Sequence, residues 1–179
     1  MPRAVFLDRD GTLNADLDYV HKKEDWHWLP HVVEGLAKLR AAGFALVVVS
    51  NQSGIARGMF DAAAVDALHL WVNAQLAPYK AAIDAFYFCP HLPKITGPCS
   101  CRKPLPGLLL QAAREMDIDL ASSWMVGDRV RDAQAGLAAG CRAIVIGESR
   151  GEQLPPEAIS CRDFAAACEH ILGAKTINV

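Results

Sequence analysis

The sequence contains no long hydrophobic run. Its best candidate, Phe44 to Val49, has the length of a strand, whereas a helix that crosses a bilayer needs about 20 consecutive apolar residues. A basic surplus is also missing: Lys and Arg number 18 against 20 Asp and Glu, for a formal net charge of -2. A nucleic-acid binder ordinarily carries a basic stripe, and none is present, so nucleic acids and membrane surfaces are not expected as partners. The opening MPRAVFLDRDG has only a short apolar stretch, broken by charge at Asp8, and does not read as a secretion signal. A cytoplasmic protein is expected. No repeat and no low-complexity segment is found. Six cysteines in a chain without a signal argue against a disulfide framework, because a reducing compartment keeps thiols free. Clustered cysteines then point towards a metal.

What is present is a globular composition, 52% hydrophobic and 21% charged over 179 residues. That is enough for one domain, 1–179, with a real core. Ala4 to Asp8 is a short apolar run that ends in a carboxylate, a strand feeding the loop at Gly11. His31 to Ala42 has apolar residues near helical spacing, with Gly43 as its stop. Phe44 to Ser50 is apolar on both faces, the pattern of a parallel strand covered on each side. Asp61 caps a helix to about Ala77, which Pro78 closes. Ile83 to Phe88, Ser123 to Asp128 and Cys141 to Ile146 read as further strands, Leu108 to Met116 and the segment to Ala139 as helices. Glu148 to Ser160 reads as loop, and Arg162 to Leu172 as a closing helix. This alternation predicts an α/β fold: a Rossmann-like parallel sheet with helices on both faces, capless, with one small irregular insertion over 89–106.

In such sheets ligands bind beyond the carboxyl ends of the strands. Four polar clusters fall there: Asp8 and Asp10, Ser50 and Asn51, Arg102 and Lys103, and Asp128. Asp8 and Asp10, two apart and followed by Gly11 and Thr12, can divide labour. One carboxylate attacks phosphorus while the other gives a proton to the leaving oxygen and later helps a water. Carboxylates repel a phosphate dianion, so cations are required. Asp128 can complete an oxygen-ligand set with Asp8 for magnesium, Lys103 supplies a second cation, and Ser50 a hydroxyl for a phosphate oxygen.

The insertion holds Cys89-Pro-His91, seven residues, then Cys99-Ser-Cys101. Three cysteines and a histidine form a closed structural zinc set, and the Pro- and Gly-rich loop has little apolar content to order it otherwise. Arg102 and Lys103 follow at once, so the zinc loop would aim both at the site. Cys141, Cys161 and Cys168 read as buried thiols. Trp26, His27 and Trp28 read as local packing, and His21 and His69 suggest no role.

Asp8-x-Asp10-Gly11-Thr12, the strand ending in Ser50-Asn51, Lys103, and Gly127-Asp128 with Asp132 nearby resemble, in this order, the four motifs of the haloacid dehalogenase superfamily of phosphatases. The resemblance spans roughly residues 4 to 146. It implies Asp8 as nucleophile, Asp10 as general acid/base, Ser50 and Lys103 as phosphate ligands, and magnesium held by Asp8, Asp128 and the Asp10 carbonyl. Asp132 would be a supporting acid. Ser50 departs from the threonine often seen there but keeps the hydroxyl.

Within that superfamily, Cys-x-His…Cys-x-Cys-Arg-Lys together with Ser50-Asn-Gln-Ser-Gly-Ile-Ala-Arg-Gly58 is similar to the heptose bisphosphate phosphatases. Histidinol-phosphate phosphatases share much of the pattern. The first resemblance implies removal of a phosphate from a small sugar bisphosphate, in the supply of ADP-heptose for lipopolysaccharide; a monomer is expected separately, because the cationic rim reads as the active site and no exposed apolar helix face stands out. Asp16 and Tyr19 of the entry loop, Asn51, Gln52 and Ser53, and the cations Arg57, Arg102 and Arg129 are then expected to bind substrate. A phospho-accepting signalling module uses similar groups, but its acceptor usually lies on a middle strand without an Asp-x-Asp-Gly-Thr start. An inactive fold kept as a zinc-stabilised interaction module is a further alternative, although both aspartates it would have lost are present.

Overall fold

The computed structural model describes residues 1–148 and 151–174. Its elements in chain order are β1 (Ala4–Leu7), α1 (Val32–Ala41), β2 (Ala45–Asn51), α2 (Ala62–Leu76), β3 (Ala85–Cys89), α3 (Pro93–Thr96), α4 (Gly107–Met116), β4 (Trp124–Gly127), α5 (Val130–Ala139), β5 (Arg142–Ile146), β6 (Ile159–Cys161) and α6 (Phe164–Gly173). Six strands pair in the order β3-β2-β1-β4-β5-β6, every pair parallel. Asp61 caps α2 as expected, its Oδ1 accepting from the Ala64 N–H at 2.9 Å.

Leu46, Val47, Val48 and Val49 of β2 are all fully buried, which is why that strand reads as continuously apolar. Alternation along the strands divides the core. Val5, Leu7, Leu46, Val48 and Val126 pack with residues of α1, α2 and α6 on one face. Ala4, Phe6, Val47, Val49 and Met125 pack with α4 and α5 on the other. No helix among the described residues is long and apolar enough to cross a membrane.

Two expectations change. The stretch read as loop to Ser160 ends in β6, whose Ile159 sits against Ile144 of β5. The insertion, read as irregular, contains the single turn α3 between its two cysteine motifs. Ser149 and Arg150 of the loop lie outside the described residues.

Strand order sets where the polar strand ends meet. The chain lays β2 and β3 to one side of β1, then returns to place β4, β5 and β6 on the other. Loops therefore leave β1 and β4 in opposite directions, and a crevice opens between their carboxyl ends. Leu7 is in register with Val126, and the Asp8 N–H donates to the Val126 carbonyl at 2.9 Å. Asp8 and Asp128 are thereby brought to the same rim.

Candidate active site

Asp8 follows the last residue of β1 and Asp128 the last of β4, so each carboxylate is carried by a rigid strand. The turn after Asp10 runs close beneath Asp128. Gly11 has φ +85°, and a Cβ there would collide with the Asp128 carboxylate; only glycine permits that approach. Asp132, on the first turn of α5, accepts from the Arg129 N–H at 3.0 Å and closes the helix N-terminus. Carboxylate oxygens of Asp8, Asp128 and Asp132 all lie within 4.8 Å of one another.

Lys103 enters this group from the insertion and is almost wholly buried. Its ammonium donates to Asp8 Oδ1 at 2.6 Å and to the Val49 carbonyl at 2.8 Å. Asp132 Oδ1 is 2.8 Å away at ion-pair distance, although off the direction of a hydrogen bond, since the same oxygen has no such partner. Burial by itself lowers the Lys103 pKa, but the Asp132 and Asp8 carboxylates outweigh it and hold the group above the usual lysine value. The lysine is charged, and its ammonium is held on three sides. Three buried carboxylates against two cations, Lys103 on Asp8 and Asp132 and Arg129 on Asp128, leave one negative charge in excess in hard oxygen ligands. That donor set fits a magnesium ion, which favours carboxylate oxygens and retains water.

Ser50 lies at the carboxyl end of β2 with its hydroxyl 3.3 Å from Gln52 Nε2. Asn51, read as a substrate group, is turned towards Lys103: its Nδ2 donates to the Lys103 carbonyl and its Oδ1 accepts the Lys103 N–H, both at 3.1 Å. A side chain 52 residues away thus pins the backbone that carries the lysine. Asp10 is more accessible than Asp8, Asp128 and Asp132, and its carboxylate meets Arg9, Asn14 and Gln52.

Above these groups is a polar pocket of about 240 Å³, lined by Asp8, Asp10, Asp16, Asp18, Tyr19, Asn51, Gln52, Ser53, Arg102, Arg129 and Arg131. Most of the residues proposed from sequence to meet substrate are therefore together. Arg57 is set back from the lining, with its guanidinium 5.7 Å from the centre of the Tyr19 ring. Arg129 bridges Asp128 Oδ2 at 3.1 Å and Asp16 Oδ2 at 3.3 Å. A wider cleft of about 680 Å³ opens on the other side of Gly11 and Asp128, with Leu29, Pro30, Ile146 and Phe164 in its lining. Three arginines, Arg102, Arg129 and Arg131, line the smaller pocket against Arg162 in the wider cleft, and the smaller pocket is the one that also holds Asp8.

Arg9, Asn14 and Arg131 were not expected at the site. Arg131 had a sequence signal, standing two residues after Arg129 at the start of a helix that follows Asp128. His21 and His69 also have partners. The first stacks on Phe60 at 4.5 Å, the second on Phe86 at 4.4 Å. Burial, then the Arg9 charge, lower the His69 pKa to about 3.

In the insertion, Cys89, Cys99 and Cys101 bring their sulfurs within 4.8 Å of one another. Cys89 Sγ is 3.8 Å from Cys99 Sγ and 2.8 Å from Cys101 Sγ, too far for a disulfide at about 2.05 Å. Zinc–sulfur bonds of about 2.3 Å in a tetrahedron imply sulfur separations of about 3.8 Å; the Cys89–Cys99 pair has that spacing and the Cys89–Cys101 pair is shorter, so the three thiols are gathered as a zinc site requires and Cys101 would move outward to share an ion. His91 is not within that sulfur group. Its backbone is nonetheless attached: the His91 N–H faces Cys89, and its carbonyl accepts from Arg102 at 3.1 Å.

Comparison with known proteins agrees with this geometry. Residues 100–167, the stretch from Ser100 through Lys103, Asp128 and Asp132, match the HAD-hydrolase-like family model. The D-glycero-beta-D-manno-heptose-1,7-bisphosphate 7-phosphatase of Yersinia pestis is 49% identical over 76% of this chain and 75% of its own length. The protein of that name from Bordetella bronchiseptica is 39% identical over 95% of this chain and 98% of its own. The crystal structure of the B. bronchiseptica D,D-heptose 1,7-bisphosphate phosphatase, solved with magnesium and phosphate, superposes with a TM-score of 0.88 at 38% identity, covering 97% of this chain and 99% of that one. Identity that runs through nearly the whole of both chains, not through the motifs alone, makes this chain a member of the D-glycero-beta-D-manno-heptose-1,7-bisphosphate 7-phosphatase family.

Proposed function

We propose that the protein hydrolyses the 7-phosphate of D-glycero-β-D-manno-heptose 1,7-bisphosphate through a phosphoryl group carried on Asp8, in the supply of ADP-heptose for lipopolysaccharide. The observation that carries the chemistry is the meeting of Asp8, Lys103 and Asp128 at the β1–β4 crevice. The substrate rests on relatives of that name that match the whole chain.

Lys103 engages one oxygen of Asp8, and the other attacks phosphorus. An Asp8 oxygen–phosphorus bond forms as the phosphorus–sugar oxygen bond breaks, and Asp10 gives its proton to the departing oxygen. A water then attacks the same phosphorus, losing a proton to Asp10. Inorganic phosphate leaves, and Asp8 is regenerated. Ser50 and Lys103 hold nonbridging phosphate oxygens through both steps. Asp8, Asp128 and the Asp10 carbonyl would hold magnesium, which offsets the charge brought together by a phosphate and these acids. Arg102, Arg129 and Arg131, at the mouth of the pocket, suit the second phosphate, with Arg57 behind Tyr19.

The test is magnesium-dependent phosphate release from both anomers of the heptose bisphosphate and from histidinol phosphate. Preference for a heptose bisphosphate is the expected result; faster release from histidinol phosphate would transfer the protein to the other substrate.

Zinc on Cys89, Cys99 and Cys101, with His91 as its fourth ligand, would brace the segment that delivers Arg102 and Lys103. Stripping zinc from the protein while keeping magnesium saturating should lower kcat by about 10-fold or more, the scale on which a small misplacement of a catalytic group acts. Full activity in a sample verified by elemental analysis to hold no zinc contradicts this.

A further inference from the structure

Arg9 stands between the two catalytic aspartates. In an extended strand its side chain would point away from both, towards solvent or core. It is instead fully buried, and a buried guanidinium is costly unless paired and hydrogen-bonded. Its pairing is with its neighbour: Nε donates to Asp10 Oδ2 and one terminal nitrogen to Asp10 Oδ1, each at 3.1 Å. That terminal nitrogen also faces the Val20 carbonyl and, at 3.3 Å, Gln52 Oε1, so three acceptors share its two N–H groups, while the other terminal nitrogen has no hydrogen-bond partner among the described residues. Gln52, nearly buried, returns the contact to the acid, its Nε2 donating to Asp10 Oδ2 at 3.1 Å. Asn14 Nδ2 donates to the remaining oxygen at 3.0 Å. Arg9, Asp10 and Gln52 thus form a closed ring.

Two corners of the ring are anchored through the backbone. The Gln52 N–H donates to the Cys89 carbonyl at 2.8 Å, and the Arg9 carbonyl receives the Leu13 N–H at 2.8 Å. His69, stripped of charge by burial and by Arg9, adds no second cation beneath it. Four side-chain hydrogen bonds from Arg9, Asn14 and Gln52 meet both Asp10 oxygens; a carboxylate offers about four acceptor positions, so one of these contacts opens when Asp10 carries the proton and the others keep the side chain in place. Asp10 lies beyond the end of β1, where nothing in the strand fixes its rotamer. Proton exchange with a leaving oxygen requires that rotamer to be fixed to within a fraction of an ångström.

We infer that Gln52 and Arg9 are positioning residues: with Asn14 they clamp the Asp10 carboxylate where it exchanges a proton with the leaving oxygen, and Gln52 acts through Asp10 and not on the sugar. This rests on the proposed role of Asp10. It also separates Gln52 from its neighbours Asn51 and Ser53.

The test uses the leaving group. A sugar alkoxide needs a proton to depart and a p-nitrophenolate does not, so a misaimed acid slows the first ester selectively. Single-turnover rates of the first chemical step would be measured for heptose bisphosphate and for p-nitrophenyl phosphate, with wild type, Gln52→Met and Asp10→Asn. For Gln52→Met the alkyl-to-aryl rate ratio should fall by about 10- to 100-fold, with KM for the sugar moving by less than about 3-fold; Asp10→Asn should lower the ratio further. A Gln52→Met protein with the wild-type ratio, beside an Asp10→Asn protein whose ratio collapses, would overturn the clamp and leave Asp10 standing. Equal losses on both esters with a raised KM would also overturn it, by making Gln52 a substrate contact. An unchanged ratio in Asp10→Asn would remove the acid itself, and the clamp with it. Arg9→Lys, in which one ammonium replaces the fork, should show the same selective loss if it folds; Gln52→Met decides the matter if it does not.

Discussion

An Asp8→Asn protein should fold normally and release phosphate from the sugar bisphosphate about four orders of magnitude or more below the parent, the scale of loss when a covalent nucleophile is removed. The reason is local. Asparagine keeps the shape of the side chain and leaves the contact with Lys103 to a carbonyl oxygen, so β1 and its neighbours are undisturbed. It cannot attack phosphorus, and no other carboxylate fills the gap. Asp132 is fully buried at the helix start, and Asp128 accepts from Arg129 at 3.1 Å. Circular dichroism together with phosphate release checks both halves. Activity within about 10-fold of wild type would mean that phosphorus goes elsewhere.

Lys103→Met should damage stability and rate together. The ammonium lies 2.6 Å from Asp8 and 2.8 Å from Asp132. Removing it leaves two buried acids without their common cation, a loss of about 3–5 kcal/mol for breaking a buried pair. The same change removes a donor aimed at developing negative charge, worth about 10²- to 10³-fold in kcat. Urea denaturation and steady-state kinetics, both at saturating magnesium, should therefore move in parallel. Arg102→Met, which removes a rim cation and leaves the buried pair intact, should raise KM for the bisphosphate with little change in the urea midpoint. A Lys103→Met protein as stable as the parent would show that the ammonium is not what balances these acids.

The catalytic frame was legible because its signals are local. A short apolar run that ends in Asp8, Gly11 immediately after the second acid, and Gly127-Asp128 each announce a strand end without knowledge of the fold. The alternation of strands and helices then places those ends on one rim. The cysteines were legible for the same reason, their spacing being visible within one loop. What was missed is non-local. β6 is three residues long, Ile159 to Cys161, and is a strand because β5 offers it an edge. Its own sequence carries no alternation. Arg9 carries no local signal, because Val20 and Gln52 are brought to it only by the fold. Asn51 lines the pocket as read, but its second partner, the Lys103 backbone, is revealed only by the return of the chain.

Asp8 as the phosphoryl carrier is best tested by trapping. The wild-type protein is mixed with the sugar bisphosphate and magnesium, quenched within one turnover and treated with borohydride, which reduces an acyl phosphate to an alcohol. Peptide mass spectrometry should then find homoserine at position 8 and aspartate at position 10. Quenched samples that have released phosphate but carry unmodified aspartate at position 8, or homoserine at another position, would contradict the account.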